Sequence, residues 1–405
     1  MKTTRLLVAA TVLLGCAQAA LADAPSYNII DLGRGTNNVG RTCGISTSGA
    51  YIVGCNAVLG ADTSYVWSGA TGVSTTLTAS STNNWAIGVN DSGVAIGMTA
   101  SSAAKTSDGS AYANAIPVIW TNGTPTQLAA AGRAYGINNA GIAVGSSGTI
   151  GAVNQRAVIY DTNALTSSTI GATADNGALM TTAWSINNSG LIAGTGRLAT
   201  DDGNLAVALV YDSISGTMTQ IATASMYAAP VGGAITSGAV SVSDINSNGV
   251  VVGSIGSDAA GDQTQMPFMW SAATGLSTLQ LPANWLNGTA TGINDQGWIV
   301  GTGRTSDGYT HGFLDIAGTT YLLDSLLTSA TGWNFANITF GITGIGNDGT
   351  ISGYAMFKEG ASSRMHGFAL QAVAVPEPSS YALMAAGLLA IGSITRRRQS
   401  TAAKA

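Results

Sequence analysis

Histidine, cysteine and charge are scarce in this chain, and each scarcity excludes something. There are two histidines and three cysteines in 405 residues, and Lys, Arg, Asp and Glu together make up 9%. The two histidines occur in one repeated setting, His311-Gly312-Phe313 and His366-Gly367-Phe368, which reads as a structural position and not as a catalytic one. Setting aside the six basic residues and one acidic residue of the two ends leaves 9 basic and 19 acidic residues, a balance of about −10. Nucleic-acid binding requires a basic footprint, so that class is excluded. No Gly-x-Ser-x-Gly sits between an apolar strand and a helix, so a nucleophile elbow is missing. Between the termini no amphipathic helical period persists.

Glycine is abundant, at 54 residues, and it is ordered. Thr291-Gly292-Ile293-Asn294-Asp295-Gln296-Gly297-Trp298-Ile299-Val300-Gly301 reads as strand, tight turn, strand. Six further copies carry their turn glycine at 49, 93, 141, 190, 249 and 349, with intervals of 44 to 59 residues along the whole series. Asn or Ser at the first turn position (Gly346 in the last copy) can hydrogen-bond forward to the backbone. The glycine three residues later accepts positive φ. β-Branched residues on both sides suit pleated strands.

A third apolar strand follows each hairpin, ending in Trp67, Trp120, Tyr160, Tyr211 or Trp270 in five copies. A fourth short strand comes after a Gly-containing turn. Four strands per unit of ~40–50 residues predict propeller blades. The fold expected is therefore all-β, a seven-bladed β-propeller over residues 23–374, with an open β-repeat solenoid as the alternative. The last unit lacks a fourth strand, and the spare strand Tyr27–Leu32 could supply it and close the ring.

Residues 1–22 read as a signal peptide: Lys2 and Arg5, an apolar Leu6–Leu14, and Ala20-Leu21-Ala22 before Asp23. Leu13-Leu14-Gly15-Cys16 also fits a lipoprotein box, which would make Cys16 a lipidated N-terminus. In an oxidising compartment Cys43 and Cys55, on opposite strands of the first hairpin, could form a disulfide or remain two small buried thiols.

The far end, residues 375–405, combines Pro376-Glu377-Pro378, an apolar Tyr381–Ile394 and Arg396-Arg397-Arg398. The apolar part is a single transmembrane-helix candidate followed by a positive stop. This arrangement resembles the PEP-CTERM sorting signal of Gram-negative bacteria. The resemblance implies recognition and removal of the tail by an exosortase, transient residence in the inner membrane, and a mature protein at the cell surface or in an exopolysaccharide-rich biofilm matrix. The repeats resemble extracellular HAF repeats, with His-Gly-Phe in place of His-Ala-Phe in the last two copies and Asp31-Leu32-Gly33 after the first strand. That likeness implies no known reaction.

Chemistry-bearing motifs are thin. Gly194-Thr195-Gly196-Arg197 and Gly301-Thr302-Gly303-Arg304 lack the Lys-Ser/Thr and the helix of a phosphate loop. Asn90-Asp91-Ser92-Gly93 and Asn294-Asp295-Gln296-Gly297 offer too few carboxylates for a calcium loop. No cofactor, metal site or catalytic residue is expected. The reading is a non-enzymatic binding or structural component. The alternative is a polysaccharide-active enzyme using loop carboxylates such as Asp201, Asp202, Asp258 and Asp262. The recurring aromatics are expected to pack between blades. The irregular Trp85, Trp184, Trp285, Trp298 and Trp333 are the first places to look for bound sugar. Three longer stretches, Thr99–Ala115, Ala222–Gly238 and Leu326–Phe340, read as loops.

Overall fold

All seven turn glycines adopt positive φ, between 74° and 88°. Each turn is held by the same pair of backbone bonds: in the second copy Asn90 N–H donates to Val94 O at 3.1 Å and Gly93 N–H to Asn90 O at 3.0 Å. The computed structural model describes residues 24–33, 40–55, 64–78, 83–100, 115–148, 154–200, 203–223, 238–257 and 265–373. The expected signal peptide with Cys16, the sorting tail with Pro376, Glu377, Pro378, Arg396, Arg397 and Arg398, and the carboxylates Asp201, Asp202, Asp258 and Asp262 lie outside the described residues. Among the described residues no helix is long and apolar enough to cross a membrane.

The hairpins grow into seven antiparallel sheets. Blade 1 runs outward through Thr42–Ile45, Tyr51–Cys55, Ser64–Ser68 and Val73–Leu77. Blade 4 is the longest of the plain four-stranded kind, with Leu179–Ile186, Leu191–Thr200, Gly203–Asp212 and Thr217–Thr223. Blade 7 takes Gly341–Ile345, Ile351–Glu359 and Ser362–Ala372 from the end of the chain and its outer strand, Tyr27–Gly33, from the beginning. The join runs in register from Tyr27 opposite Ala372 to Asp31 opposite Phe368. The spare N-terminal strand thus completes the seventh blade.

Successive blades bury apolar cores between them. Val53, Val89 and Trp120 fill the space between blades 1 and 2, and Ile52, Trp67 and Ala369 that between blades 1 and 7. Trp120 and Tyr160 are 1% exposed, and Trp120 Nε1–H reaches Thr78 O at 2.8 Å. The recurring aromatics are packing residues. The glycine within the second strand of blade 6 leaves no space for a side chain: a Cβ on Gly301 would sit 2.1 Å from the Thr289 carbonyl oxygen and 2.6 Å from Phe313 Cζ.

One expected loop is structured. Leu326–Phe340 contains a short strand, Trp333–Asn334, that pairs with Phe357 and Met356. The 3-10 turn Leu323–Leu326 leads into it. Trp333, Phe335 and Phe340 all pack on Phe368 with ring centroids 5.2–6.2 Å apart. Three aromatics in so short a stretch have more to gain from burial than from display. Of the other two stretches, residues 101–114 and 224–237 lie outside the described residues.

Candidate functional site

The innermost strands share a local irregularity that shapes the ring axis. Each carries a β-bulge at the residue two before its turn-proximal apolar residue: Cys43, Ile87, Tyr135, Trp184, Ser243, Thr291 and Thr343. A bulge leaves one residue unpaired and re-aims it. All seven line a cavity of about 350 Å³ on the axis. The residue after the bulge is glycine in five blades, because the blades converge there. A Cβ on Gly88 would sit 2.7 Å from the Tyr135 carbonyl oxygen, and one on Gly136 2.9 Å from that of Trp184. The two exceptions are Ser185 and Asp244, and they bond to each other, Ser185 Oγ donating to Asp244 Oδ1 at 2.9 Å.

The cavity is two-sided. Ile87, Tyr135 and Trp184 form an apolar arc, with the Tyr135 and Trp184 rings 4.5 Å apart. Ser243, Asp244, Thr291 and Thr343 form a polar one. Asp244 is partly buried and lines the channel. Its carboxylate also accepts Ile245 N–H at 2.8 Å and Ile293 N–H at 3.1 Å. Burial pushes its pKa up to about 6, and the three donors only partly oppose this.

Around the mouth the turn asparagines make a ring of hydrogen bonds. Each Oδ1 accepts from its own turn, as Asn187 does from Ser189 and Leu191 N–H at 3.1 and 2.9 Å. Each Nδ2 donates to the next blade's carbonyl: Asn90 to Asn138, Asn138 to Asn187, Asn187 to Asn246, Asn246 to Asn294, and Asn294 to Gly346. The seam between blades 7 and 1 breaks the series. There a Cβ on Gly346 would run into the Gly49 backbone, and Asn347 N–H donates to Thr47 O at 2.7 Å instead. A second tier uses Asp91 and Asp295. Burial raises both carboxyls, but donors from Ser48 and Asn139, and from Ser247 and Asn347, outweigh it and hold both below the usual range.

Sequence reasoning found the forward bond of the turn asparagines and missed the reach to the next blade. The signal was present, since Asn rather than Ser or Asp recurs in five consecutive copies, and of these three only Asn carries its acceptor and its donor on separate atoms that can point to different blades. Asp244 was also visible as the one acid in a column of glycine and serine. Among the irregular tryptophans only Trp184 lines the cavity. Trp285 packs edge-on against Phe313, Trp333 sits against Phe357 at 4.9 Å, and Trp298 covers the blade 7 core. Cys43 and Cys55 face each other across the first hairpin, with their sulfurs at bonding distance and Cα atoms 6.0 Å apart. The two histidines are buried at 9% and 4% exposure. His311 pairs with Asp307, and His366 lies between Asp31 and Glu359. Among the described residues no group of three or more His, Cys, Asp or Glu could hold a metal ion.

A family described as "Protein of unknown function (DUF3466)" matches residues 108–279, and the PEP-CTERM protein-sorting motif matches residues 374–399. The chain therefore carries the mark of an exported protein handled by an exosortase at the membrane. No curated protein matches it in sequence. Solved structures similar to it are propeller proteins of low identity. Oligogalacturonate lyase from Vibrio parahaemolyticus is 10% identical with a TM-score of 0.46, over 87% of this chain and 98% of that one. TolB from Acinetobacter baumannii is 13% identical with a TM-score of 0.37, over 80% and 81%. Dipeptidyl peptidase 4 from Porphyromonas gingivalis is 10% identical with a TM-score of 0.44, over 80% of this chain, which spans half the length of that peptidase. Likenesses this distant carry nothing about function.

Proposed function

We propose that this chain is a surface or matrix component that binds or scaffolds exopolysaccharide without transforming it. The observation that carries the reading is a sorting motif at residues 374–399 attached to a closed ring whose termini share one blade. A ring closed in this way is rigid and has its sheet edges short or paired, which suits a module exposed outside the cell. The resemblance of the repeats to extracellular HAF repeats points the same way. In the mature form, after an exosortase has acted on the tail, the ring would stand at the surface or in the biofilm matrix.

The axial cavity supports binding better than chemistry. An aromatic arc facing hydroxyls and one carboxyl is a composition that orients a polyol. One observation favours the alternative of a polysaccharide-active enzyme: the pKa of Asp244, near 6, lies where a general acid works. Glycoside hydrolysis ordinarily uses two carboxylates, and the mouth carboxylates Asp91 and Asp295 are engaged by turn donors.

Co-sedimentation and calorimetry of purified residues 23–374 with exopolysaccharide from the native host test the reading. Saturable binding with no new chain ends is the expected result. Release of fragments, abolished in Asp244→Asn, would replace it with the enzyme. Absence of binding would remove polysaccharide as the partner.

A further inference from the structure

Blade 6 carries a second concavity, well away from the axial turns. It is about 460 Å³ in volume and open to solvent, within the range of small-ligand sites. Its floor is polar and partly bare backbone: Gln265, Asn287, Thr302 and Thr310 stand among Gly288, Gly303 and Gly308. Arg304 lines it and is exposed. Its backbone N–H is held by Asn287 Oδ1 at 3.2 Å. Its guanidinium makes no ion pair among the described residues, although the chain as a whole is acidic.

The rim carries an exposed apolar residue. Six large hydrophobic residues are exposed among the described residues, and the most exposed after Ile214, Ile338 at 76%, lines this groove, while Leu286 at 56% and Tyr309 at 49% are next in sequence to its lining residues Asn287, Gly308 and Thr310. Leu286 is thrown outward because it is the unpaired residue of a second bulge, between Trp285 and Asn287. Ile338 belongs to the segment tied to blade 6 by Asn337 N–H donating to Thr310 O at 3.3 Å. Asp307, beside the lining residue Gly308 in sequence, is engaged by Thr305, Tyr309 N–H and His311.

The geometry points to a binding subsite for an acidic saccharide in this groove. Arg304 takes the anionic group, the amides and hydroxyls of the floor take ring hydroxyls, and Ile338 covers the apolar face of a sugar ring. The chemistry is selective in three ways. A guanidinium fork matches a planar carboxylate or a sulfate. A floor of amides and hydroxyls matches a polyol. A single cation on an acidic chain suits one charge per sugar, whereas a nucleic acid presents a dense row of phosphates that needs several cations. The inference rests on the reading of the chain as a polysaccharide-binding surface protein and gives that reading a location and a charge.

Calorimetry of the full chain with a glucuronate trimer, its carboxyl-reduced counterpart and a neutral trimer bearing one sulfate tests the site. Saturable binding of the glucuronate trimer is expected, with at least tenfold weaker binding of the reduced form. Arg304→Gln, an exposed position that leaves folding intact, is expected to weaken glucuronate binding tenfold or more, and Ile338→Ala to weaken every trimer alike. Equal or tighter binding of the sulfated trimer, lost in Arg304→Gln, keeps the site and identifies sulfate as the anion. Equal binding of charged and reduced trimers, or glucuronate binding unchanged in Arg304→Gln, overturns the proposal. Host exopolysaccharide that binds wild type and Arg304→Gln equally overturns this site and leaves the proposed function standing. Failure of every trimer, with host polysaccharide also unbound, overturns both.

Discussion

His366 Nδ1 lies 2.9 Å from Asp31 Oδ1, joining residues 335 positions apart in sequence. Asp31 belongs to the N-terminal strand and His366 to the strand it completes, so the contact crosses the only covalently unlinked strand pair of blade 7 that connects the two ends of the chain. Glu359 Oε1 takes the other ring nitrogen at 3.0 Å. The side chain of His366 is 5% exposed, so losing a partner leaves a buried ring nitrogen facing no acceptor. Asp31→Ala is expected to cost about 1–3 kcal/mol, and His366→Ala with Asp31→Ala less than the sum of the two. Urea unfolding of the four members of that cycle checks this. Additive losses would mean that the pair does not hold the closure.

Tyr27 tests the same closure from its apolar side. It is 0% exposed and packs in the core shared by blades 6 and 7. Its carbonyl accepts Thr328 N–H at 2.9 Å, while its hydroxyl has no partner among the described residues. Truncation to Ala is expected to cost about 3–5 kcal/mol. Tyr27→Phe removes an unsatisfied buried hydroxyl and should be neutral or slightly stabilising. Deleting residues 27–32 should destabilise the whole ring and not blade 7 alone. A deletion variant that melts like wild type would indicate that the ring does not depend on its join.

Much of this fold was legible because its repeat is written in turn chemistry. Gly at the same offset in seven copies dictates seven positive-φ turns, and the missing strand of the last copy dictates where the first strand goes. The segment Leu326–Phe340 was less legible, because its Ser, Thr, Ala and Gly content masks Trp333, Phe335 and Phe340, which have no period. The axial cavity was opaque for a different reason. Its lining comes from bulges, and whether residue 184 or 185 is unpaired depends on strand register, which composition does not encode. The groove at Arg304 joins strands of blade 6 to Ile338 of the next unit, a juxtaposition set by the bond from Asn337 N–H to Thr310 O, which no repeat pattern encodes.

The asparagine ring gives a sharper test of how blades adhere. Asn187 is 6% exposed, accepts three bonds within its own turn and donates to Asn246 O at 2.9 Å. Asn187→Ala is expected to cost about 2–4 kcal/mol, since it strands buried backbone groups on two blades. Asn187→Ser should cost less. Ser46 occupies this position in blade 1 and accepts Tyr51 N–H at 3.2 Å through its hydroxyl, so serine keeps a forward bond and loses only the reach. Thermal unfolding of both variants is the measurement, and a serine variant as stable as wild type would show that the contact between blades contributes nothing.

Cys43 and Cys55 make a chemical prediction. They are 12 residues apart in sequence and flank the first turn, with Cys43 at the bulge that lines the axial cavity. The exported protein should show an intact mass about 2 Da below that of the reduced chain. Reduction should lower stability by about 2–3 kcal/mol, as expected for so short a loop. Two alkylatable thiols in protein recovered from outside the cell would remove the bridge.

Asp244 predicts an unusual pH dependence. Its carboxyl is raised from 3.8 to about 6 in the folded ring. Between those values the native state holds a proton that the unfolded chain has released, so this group makes stability fall as pH rises. The fall is complete above pH 6 and amounts to about 3 kcal/mol. Asp91 and Asp295, held below the usual range, act with the opposite sign: their contribution is lost as pH drops below about 4. Comparing wild type with Asp244→Asn isolates the first effect. The variant places an amide against Ile293 N–H and should be less stable overall, but the stability difference between the two proteins should shrink by up to about 3 kcal/mol from pH 4 to pH 7. Denaturant unfolding at half-unit intervals of pH measures that difference. A difference that stays flat would mean that Asp244 ionises like a solvated carboxyl, and the axial cavity would then have no acid that titrates near neutrality.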